Sequence, residues 1–207
     1  MPNFISEDQI ERALGQKLQH LHGFDSLDCY TEDPEDLLDG SGRASKRNVI
    51  LVDRVKEAAL CLNPDIPNKA IDDALEKLFD RRQAMSLVAA NREIYNLLRD
   101  GIPVEFDNAQ GQKQQERVRL IDFNEPKENR YLAVTQLWIK SERGFRRPDV
   151  LLYVNGLPLV FIELKNSNVK LKTAFDDNLT NYKKDIPQDH RPEPPVHRCE
   201  SRLRHIS

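Results

Sequence analysis

The sequence has few cysteines, no long apolar run and little net charge, and each of these absences excludes a class of protein. Cys29, Cys61 and Cys199 lie far apart without Cys-x-x-Cys spacing, so neither a zinc site nor a disulfide framework is indicated. No apolar stretch approaches the length that crosses a bilayer, and no basic segment followed by an apolar one opens the chain. We therefore expect a cytoplasmic protein with no membrane partner.

The charge of the 207-residue chain is also small, at −3. This value argues against a protein that coats nucleic acid through bulk positive charge, although a local basic patch can still hold phosphates. The length is sufficient for one buried core, and the composition is that of a globular protein.

The first hundred residues show helical periodicity. Ser6 and Gln9 form a capping box before an amphipathic helix that runs from about Glu7 to Leu21 and ends at Gly23. On this helix Glu11 lies at the boundary of the apolar face, where a solvated carboxylate is the ordinary interpretation. Three further helices are predicted at about 47–62, 68–79 and 83–98.

After residue 101 the pattern changes to short strands separated by turns. The predicted strands are 102–106, 117–123, 131–140, 150–154 and 157–165, and a helix is predicted at about 172–184. This order predicts an α/β (α+β) domain over residues 1–187, helical to about 100 and centred on a mostly antiparallel sheet from about 101. Residues 188–207 are rich in Pro and Arg without periodicity, so we expect a disordered or non-native tail.

Ionisable residues stand where buried strands are expected between Asp149 and Lys165. Glu163 and Lys165 share one face of a strand because they are two residues apart. A two-residue turn at Asn155–Gly156 would turn Asp149 away from Glu163. A three-residue loop, or a bulge near Pro148, would put both carboxylates on one face.

Two carboxylates at one end of buried strands favour a divalent cation between them. Hard oxygen ligands are those of Mg²⁺ or Mn²⁺, so Asp149 and Glu163 are the candidate ligands. Lys165 would orient or help to deprotonate an attacking water. An aspartate at the start of a strand, followed by a simple Glu–Lys pair, explains the same spacing without any chemistry.

The residues around this motif resemble a known family. Arg-Pro-Asp at 147–149, Asn-Gly-Leu-Pro-Leu at 155–159 and Glu-Leu-Lys at 163–165 resemble the nuclease signature of the R subunit of type I restriction enzymes, a branch of the PD-(D/E)xK superfamily. The resemblance extends through residues 120–123 and Gln136 and to the first helix, and it covers about 4–188.

The resemblance implies a fold, an activity and a set of site residues. It implies a restriction-endonuclease-like core, in which a mixed, mostly antiparallel sheet is flanked by helices, and a Mg²⁺-dependent type I site-specific deoxyribonuclease that cuts double-stranded DNA. Mn²⁺ is a possible substitute for Mg²⁺. The implied catalytic residues are Asp149, Glu163 and Lys165, and the implied metal ligands are Asp149, Glu163, the backbone carbonyl of Leu164 and Glu11.

In the family, ATP-driven motor domains pump DNA past a methyltransferase core before cleavage. This chain has no Gly-x-x-x-x-Gly-Lys-Ser/Thr motif, so ATP is expected to act only through domains absent from it. The implied partners are double-stranded DNA and the methyltransferase and specificity subunits.

One departure concerns the helix after Lys165, where the family often carries Gln-x-x-x-Tyr. Here the supporting positions hold Asn178 and Tyr182, and the shorter Asn side chain alters that pattern. The candidate DNA-binding residues are Arg146, Arg147, Lys170 and Lys172. A non-catalytic DNA-binding or docking module, or a repair or recombination nuclease of the same superfamily, remains an alternative.

Overall fold

The structure is a computed structural model that describes residues 6–80, 82 and 84–164. The α-helices of this part of the chain are α1 (Glu7–His22), α2 (Val52–Leu62), α3 (Asn68–Phe79) and α4 (Leu87–Asp100). Its strands are β1 (Asp25–Asp28), β2 (Ile102–Asp107), β3 (Lys113–Val118), β4 (Tyr131–Thr135), β5 (Ile139–Ser141), β6 (Gly144–Arg146), β7 (Val150–Val154) and β8 (Leu157–Ile162). This order of elements confirms the predicted α/β (α+β) class.

The central sheet has the strand order β1-β4-β7-β8. β1 pairs with β4 in parallel, whereas the other two pairings are antiparallel, so the sheet is mixed as the resemblance implied. β2–β3 and β5–β6 form two separate hairpins. Burial of both strands of the β7–β8 hairpin was expected. It holds for β7 but not for Leu159 and Val160 of β8, which are each 47% exposed.

Helices α1 and α3 follow the sequence pattern closely. Ser6 and Gln9 form the predicted capping box, and Gly23 ends α1 in the left-handed conformation at φ 68°. The bounds of α3 are those predicted. None of the helices in the described ranges is long and apolar enough to span a membrane.

Helices α2 and α4 begin later than predicted. The backbone before α2 bonds to the β7–β8 hairpin instead: the Leu51 N–H donates to the Gly156 carbonyl at 3.0 Å, and the Tyr153 hydroxyl donates to the Val49 carbonyl at 2.9 Å. These tertiary contacts hold residues 47–51 out of the helix. The start of α4 is set by Ser86, whose side chain accepts a hydrogen bond from the third residue of the helix.

The strand predictions need correction in several places. β1 and β6 were missed, and the strand expected over 131–140 is two strands, broken at Gln136, whose φ is 58°. The strand expected over 117–123 lies at Lys113–Val118, because the β2–β3 turn sets its register. The chain then leaves the ladder at Arg119, whose N–H donates to the Asn63 side chain at 2.8 Å.

The sheet is covered on both faces. α1 packs on one face, where the buried residues are Leu18, Ala133 and Val150. The other face buries apolar side chains from β4, β5 and β7 together with Val49 and Leu51 from the segment before α2. A separate core joins α2, α3 and the β2–β3 hairpin. The sheet is therefore held between α1 and the irregular segment that follows β1.

The β7–β8 hairpin has a two-residue turn and not the odd-length loop that was one option. Asn155 and Gly156 have φ values of 52° and 82°, and Val154 lies opposite Leu157. Two successive positive φ values are those of the tight turn that matches the twist of a hairpin.

A bulge in β8 changes the register of this hairpin by one residue. The pairing with β7 skips Leu159, so the bulge lies in the second strand. The prediction had placed it near Pro148. Without it, Asp149 and Glu163 would point to opposite faces. With it, Val150 lies opposite Ile162, so the next residues on the two strands, Asp149 and Glu163, come to lie opposite each other on one face.

Candidate metal centre at one edge of the sheet

Strands β4, β7 and β8 place three polar residues in a row at one edge of the sheet. Val150 of β7 lies opposite Thr135 of β4 on one side and Ile162 of β8 on the other. The next residues along the three strands, just outside these pairs, are Gln136, Asp149 and Glu163. These three residues are here called the site edge.

Asp149 and Glu163 share one face of the sheet, because directly opposite residues of an antiparallel pair point to the same side. The Asp149 side chain is half-buried, and its Oδ2 accepts a hydrogen bond from the Leu164 backbone N–H at 2.5 Å. Glu163 is also half-buried, with its Oε2 atom buried. The geometric condition for a shared site, two carboxylates on one face, is therefore met.

Glu11 is tied to the same edge by Gln136. The Gln136 Nε2 donates to both carboxylate oxygens of Glu11, at 3.1 Å and 3.0 Å. Glu11 is half-buried and not the fully solvated carboxylate of the ordinary interpretation. The contact joins the first helix to the end of β4 and brings a third carboxylate to the site edge.

The charges at this edge act on one another. Burial raises the pKa of Glu11, the hydrogen bond from Gln136 partly offsets this rise, and the nearby carboxylates of Asp149 and Asp28 raise the pKa further. Asp28 ends β1, the strand beside β4. A bound cation would offset the repulsion among these carboxylates.

The donor set fits a hard divalent cation. The Asp149 and Glu163 carboxylates, the Leu164 carbonyl and the Glu11 carboxylate are all oxygen donors, which Mg²⁺ and Mn²⁺ prefer. Among the described residues no three Asp, Glu, His or Cys side chains form a ready-made metal cluster. Mg²⁺ commonly takes only one or two carboxylates from a protein and keeps several waters, so two close acids at an edge suit it.

A basic hairpin, β5–β6, is inserted between two residues of the site edge, since it joins β4 to β7. The Arg147 guanidinium lies 4.8 Å from the centre of the Trp138 ring, and the Lys140 Nζ lies 5.4 Å from that of Phe145. The two rings meet edge to face at 6.2 Å. Arg147 is exposed and Arg146 is half-buried. The stacked contacts hold cationic groups next to the candidate site.

A buried ion network, which no sequence prediction included, supports the root of this hairpin. Asp39 Oδ2 accepts from Arg43 Nη2 at 2.7 Å and from Lys46 Nζ at 2.8 Å, with all three side chains almost fully buried. Arg43 also donates to the Trp138 carbonyl at 3.1 Å, and the Lys140 N–H donates to the Lys46 carbonyl at 3.0 Å. Charges buried in an irregular segment have no periodicity, so no sequence pattern marks them.

Several residues of the sequence prediction lie beyond the described part of the chain. They are Lys165, Lys170, Lys172, Asn178 and Tyr182, and with them the helix predicted at 172–184 and the tail. Of the remaining predicted residues, the structure brings Glu11, Asp149, Glu163 and Leu164 to one edge, with Arg146 and Arg147 on the adjacent hairpin.

Comparison with known protein families matches residues 4–193 to the family described as "Type I restriction enzyme R protein N terminus". Over 188 residues the chain is 37% identical to the type I restriction enzyme HindI endonuclease subunit of Haemophilus influenzae, which covers 89% of this chain and 17% of that subunit. Over 195 residues it is 31% identical to the putative type I restriction enzyme MjaIXP endonuclease subunit of Methanocaldococcus jannaschii, which covers 89% of this chain and 18% of that subunit.

The chain thus spans less than a fifth of the length of these curated relatives. The family match extends over nearly the whole sequence and includes every residue of the site edge. This chain belongs to the family formed by the N-terminal part of type I restriction enzyme R proteins.

Proposed function

We propose that this chain is the Mg²⁺-dependent endonuclease domain of a type I restriction enzyme R protein and hydrolyses phosphodiester bonds of double-stranded DNA. The observation that carries the proposal is the bulge at Leu159, which places Asp149 and Glu163 side by side at the site edge. A register without the bulge would separate the two carboxylates. The bulge costs hydrogen bonds between β7 and β8 and places two negatively charged side chains next to each other. A cation shared by the two carboxylates would offset these costs.

Each residue of the centre has a proposed role. Asp149, Glu163 and the Leu164 carbonyl hold the cation, and Glu11 supplies a further oxygen. When bound, Mg²⁺, or Mn²⁺ in its place, acts as a Lewis acid on the scissile phosphate. The Lys165 ammonium, two residues after Glu163, orients the attacking water and offsets negative charge that develops on the phosphate oxygens. Asn178 and Tyr182 support the centre.

The proposed substrate is held through its phosphates. Arg146 ends the hairpin that borders the site edge and Arg147 follows it directly, and Lys170 and Lys172 follow the proposed catalytic lysine in sequence. Guanidinium and ammonium groups that contact phosphates position a duplex without reading its sequence. This suits a nuclease that cuts away from a recognition site.

The activity is proposed to operate within a larger assembly. The relatives named endonuclease subunits are more than five times longer than the segment this chain matches. We propose that ATP-driven motor domains outside this chain translocate DNA, and that methyltransferase and specificity subunits complete the enzyme.

Metal titration tests the centre directly. Mn²⁺ binding, followed by isothermal calorimetry or by the paramagnetic resonance of the free ion, should be at least about tenfold weaker in Asp149→Ala than in the parent, since a direct ligand is removed. Asp107→Ala removes an exposed carboxylate from the end of β2 and should leave the affinity unchanged. Equal affinity in the parent and in Asp149→Ala would show that no metal centre exists at this edge.

A further inference from the structure

The basic β5–β6 hairpin carries a lysine that is paired with an acid from a distant part of the chain. The Lys140 Nζ lies 2.5 Å from Glu35 Oε1, and 105 residues separate the two in sequence. Both side chains are partly open to solvent, with 38% of Lys140 and 57% of Glu35 exposed. The same ammonium group contacts the ring of Phe145. Lys140 is therefore an oriented cation that solvent can reach.

Glu35 belongs to a short acidic segment between β1 and α2. Residues 32–36, here called the acidic loop, contain four exposed carboxylates, those of Glu32, Asp33, Glu35 and Asp36. Residues 139–147 hold four basic residues and one acidic residue. The two segments thus have opposite charge, and the pair of Glu35 with Lys140 joins them.

The acidic loop is held beside the hairpin at both of its ends. Just before the loop, the Thr31 carbonyl accepts a hydrogen bond from Trp138 Nε1 at 3.4 Å. Just after it, Arg43 Nη2 donates both to the buried Asp39 carboxylate and to the backbone carbonyl of the same tryptophan. These contacts keep the carboxylates of the loop close to the hairpin, so the approach of Glu35 to Lys140 is built into the fold.

An exposed ion pair of this kind is weak and exchanges easily. Water and salt screen the attraction, and such pairs contribute little to the stability of a protein. An ammonium group binds a DNA phosphate through the same kind of charge-assisted contact that it makes with a carboxylate. A duplex that lies along Arg146 and Arg147 would therefore bring its phosphates to a lysine that Glu35 already occupies.

We propose that Lys140 is a further phosphate-binding residue of the hairpin and that Glu35 competes with DNA for it. The inference rests on the proposed function, because it requires the duplex to lie along β5–β6. It adds that the acidic loop lowers the affinity of this chain for a duplex, and that a bound duplex displaces Glu35 from Lys140.

The test is a double-mutant cycle on the 207-residue chain, with a fluorescently labelled DNA duplex as the probe and anisotropy as the readout. The variants are Glu35→Gln, Lys140→Met and the combination of both, compared at low salt without divalent metal. Methionine keeps an unbranched apolar side chain against Phe145 and removes the charge. Glu105→Gln is the matched control, because Glu105 forms an exposed pair with Lys113 at 2.7 Å on the β2–β3 hairpin and its loss changes the net charge equally.

We expect Glu35→Gln to bind the duplex about two- to fivefold more tightly than the parent, which is the factor that an exposed ion pair contributes. The gain should disappear in the Lys140→Met background, because Glu35 acts through that cation. In the Glu35→Gln background, Lys140→Met should reduce the slope of log affinity against log salt by about 1. A purely structural ion pair would change the thermal midpoint and would not tighten DNA binding on its removal.

Two results overturn the inference. If Glu35→Gln tightens binding no more than Glu105→Gln does, Glu35 acts only through the net charge. If the gain is equal with and without Lys140, Glu35 repels DNA but does not compete for that lysine.

The double variant Arg146→Ala/Arg147→Ala distinguishes these failures from a failure of the proposed function. If it weakens duplex binding while either of those two results is found, the hairpin contacts DNA and only the inference is wrong. If it binds as the parent does, or if the parent itself does not bind the duplex, the proposed mode of DNA binding is wrong and the inference fails with it.

Discussion

At the scale of single residues, the β7–β8 turn depends on Asn155 and Gly156, whose backbones both adopt left-handed conformations. Asn155 is buried, and its Nδ2 donates to the carbonyl of Leu120 and to the side chain of Asn129 at 2.8 Å each. A Cβ on Gly156 would lie 2.6 Å from the Leu51 carbonyl oxygen. The Asn-Gly pair that carried part of the family resemblance therefore has a structural role: it packs the hairpin against the start of α2.

Replacement of Gly156 by alanine should be strongly destabilising. The positive φ alone costs about 1 kcal/mol for a residue with a Cβ, and the overlap with the α2 backbone should bring the total to about 3 kcal/mol or more. Gly111→Ala is the matched control, since Gly111 has φ 73° with nothing within 4 Å of the added atom. Urea unfolding measures both, and equal destabilisation of the two variants would contradict the packing argument.

At the scale of elements, the irregular segment between β1 and α2 acts as a support for the basic hairpin. Burial by itself raises the pKa of Asp39, but hydrogen bonds from Lys46, Ser41 and Arg43 outweigh it and hold the pKa well below the usual value. Arg43 and Lys46 also contact the hairpin. The Arg43 side chain donates to the Trp138 carbonyl, and the Lys46 backbone carbonyl accepts from the Lys140 N–H. Removal of the central carboxylate should therefore loosen both the segment and the hairpin root.

Asp39→Asn should lower the free energy of unfolding at pH 7 by roughly 3–5 kcal/mol, because it leaves two buried cations without their carboxylate. Since the folded pKa of Asp39 is depressed, its contribution is fully present above the unfolded value of about 3.9 and is lost as the pH falls below it. The difference between parent and variant should shrink by about 1.4 kcal/mol per pH unit below that value.

Urea unfolding at pH 7, 4 and 3 measures this dependence. Asp33→Asn, at an exposed position of the same segment, is the control and should show a small difference at every pH. A destabilisation by Asp39→Asn that stays constant from pH 7 to pH 3 would contradict the role of its charge.

At the scale of the whole molecule, the proposed DNA binding would have to rely on local charge. The chain carries a net charge of −3, yet residues 139–147 hold four basic residues and one acidic residue. This basic segment adjoins the site edge, whereas the carboxylates of that edge would repel phosphates in the absence of a cation. The distribution favours an approach of the duplex along the β5–β6 hairpin.

The double variant Arg146→Ala/Arg147→Ala should weaken duplex binding equally for unrelated sequences. Removal of each cation that binds a phosphate should reduce the slope of log affinity against log salt by about 1. The control Arg99→Ala/Lys113→Ala removes the same charge from α4 and from the β2–β3 hairpin. Fluorescence anisotropy across a salt series measures both, and an equal effect of the two double variants would rule out a local contact surface.

The sequence by itself determined the helical first half, the capping box of α1, the bounds of α3 and the acidic pair with its family. These depend on neighbours in the chain: apolar periodicity, caps and turn residues act over a few positions. For the same reason the bounds of β7 agree with prediction, and the Asn-Gly pair marks the position of the turn although not its length.

Only the tertiary structure decided how the candidate centre assembles. The bulge at Leu159, the break at Gln136 and the late start of α2 depend on contacts between residues far apart in sequence, which no local pattern encodes. The metal-site hypothesis required Asp149 and Glu163 to share a face. The one-residue shift in β8 and the packing of the turn against the start of α2 bring these two carboxylates to one face. The hydrogen bond from the Gln136 side chain holds Glu11 at the same edge.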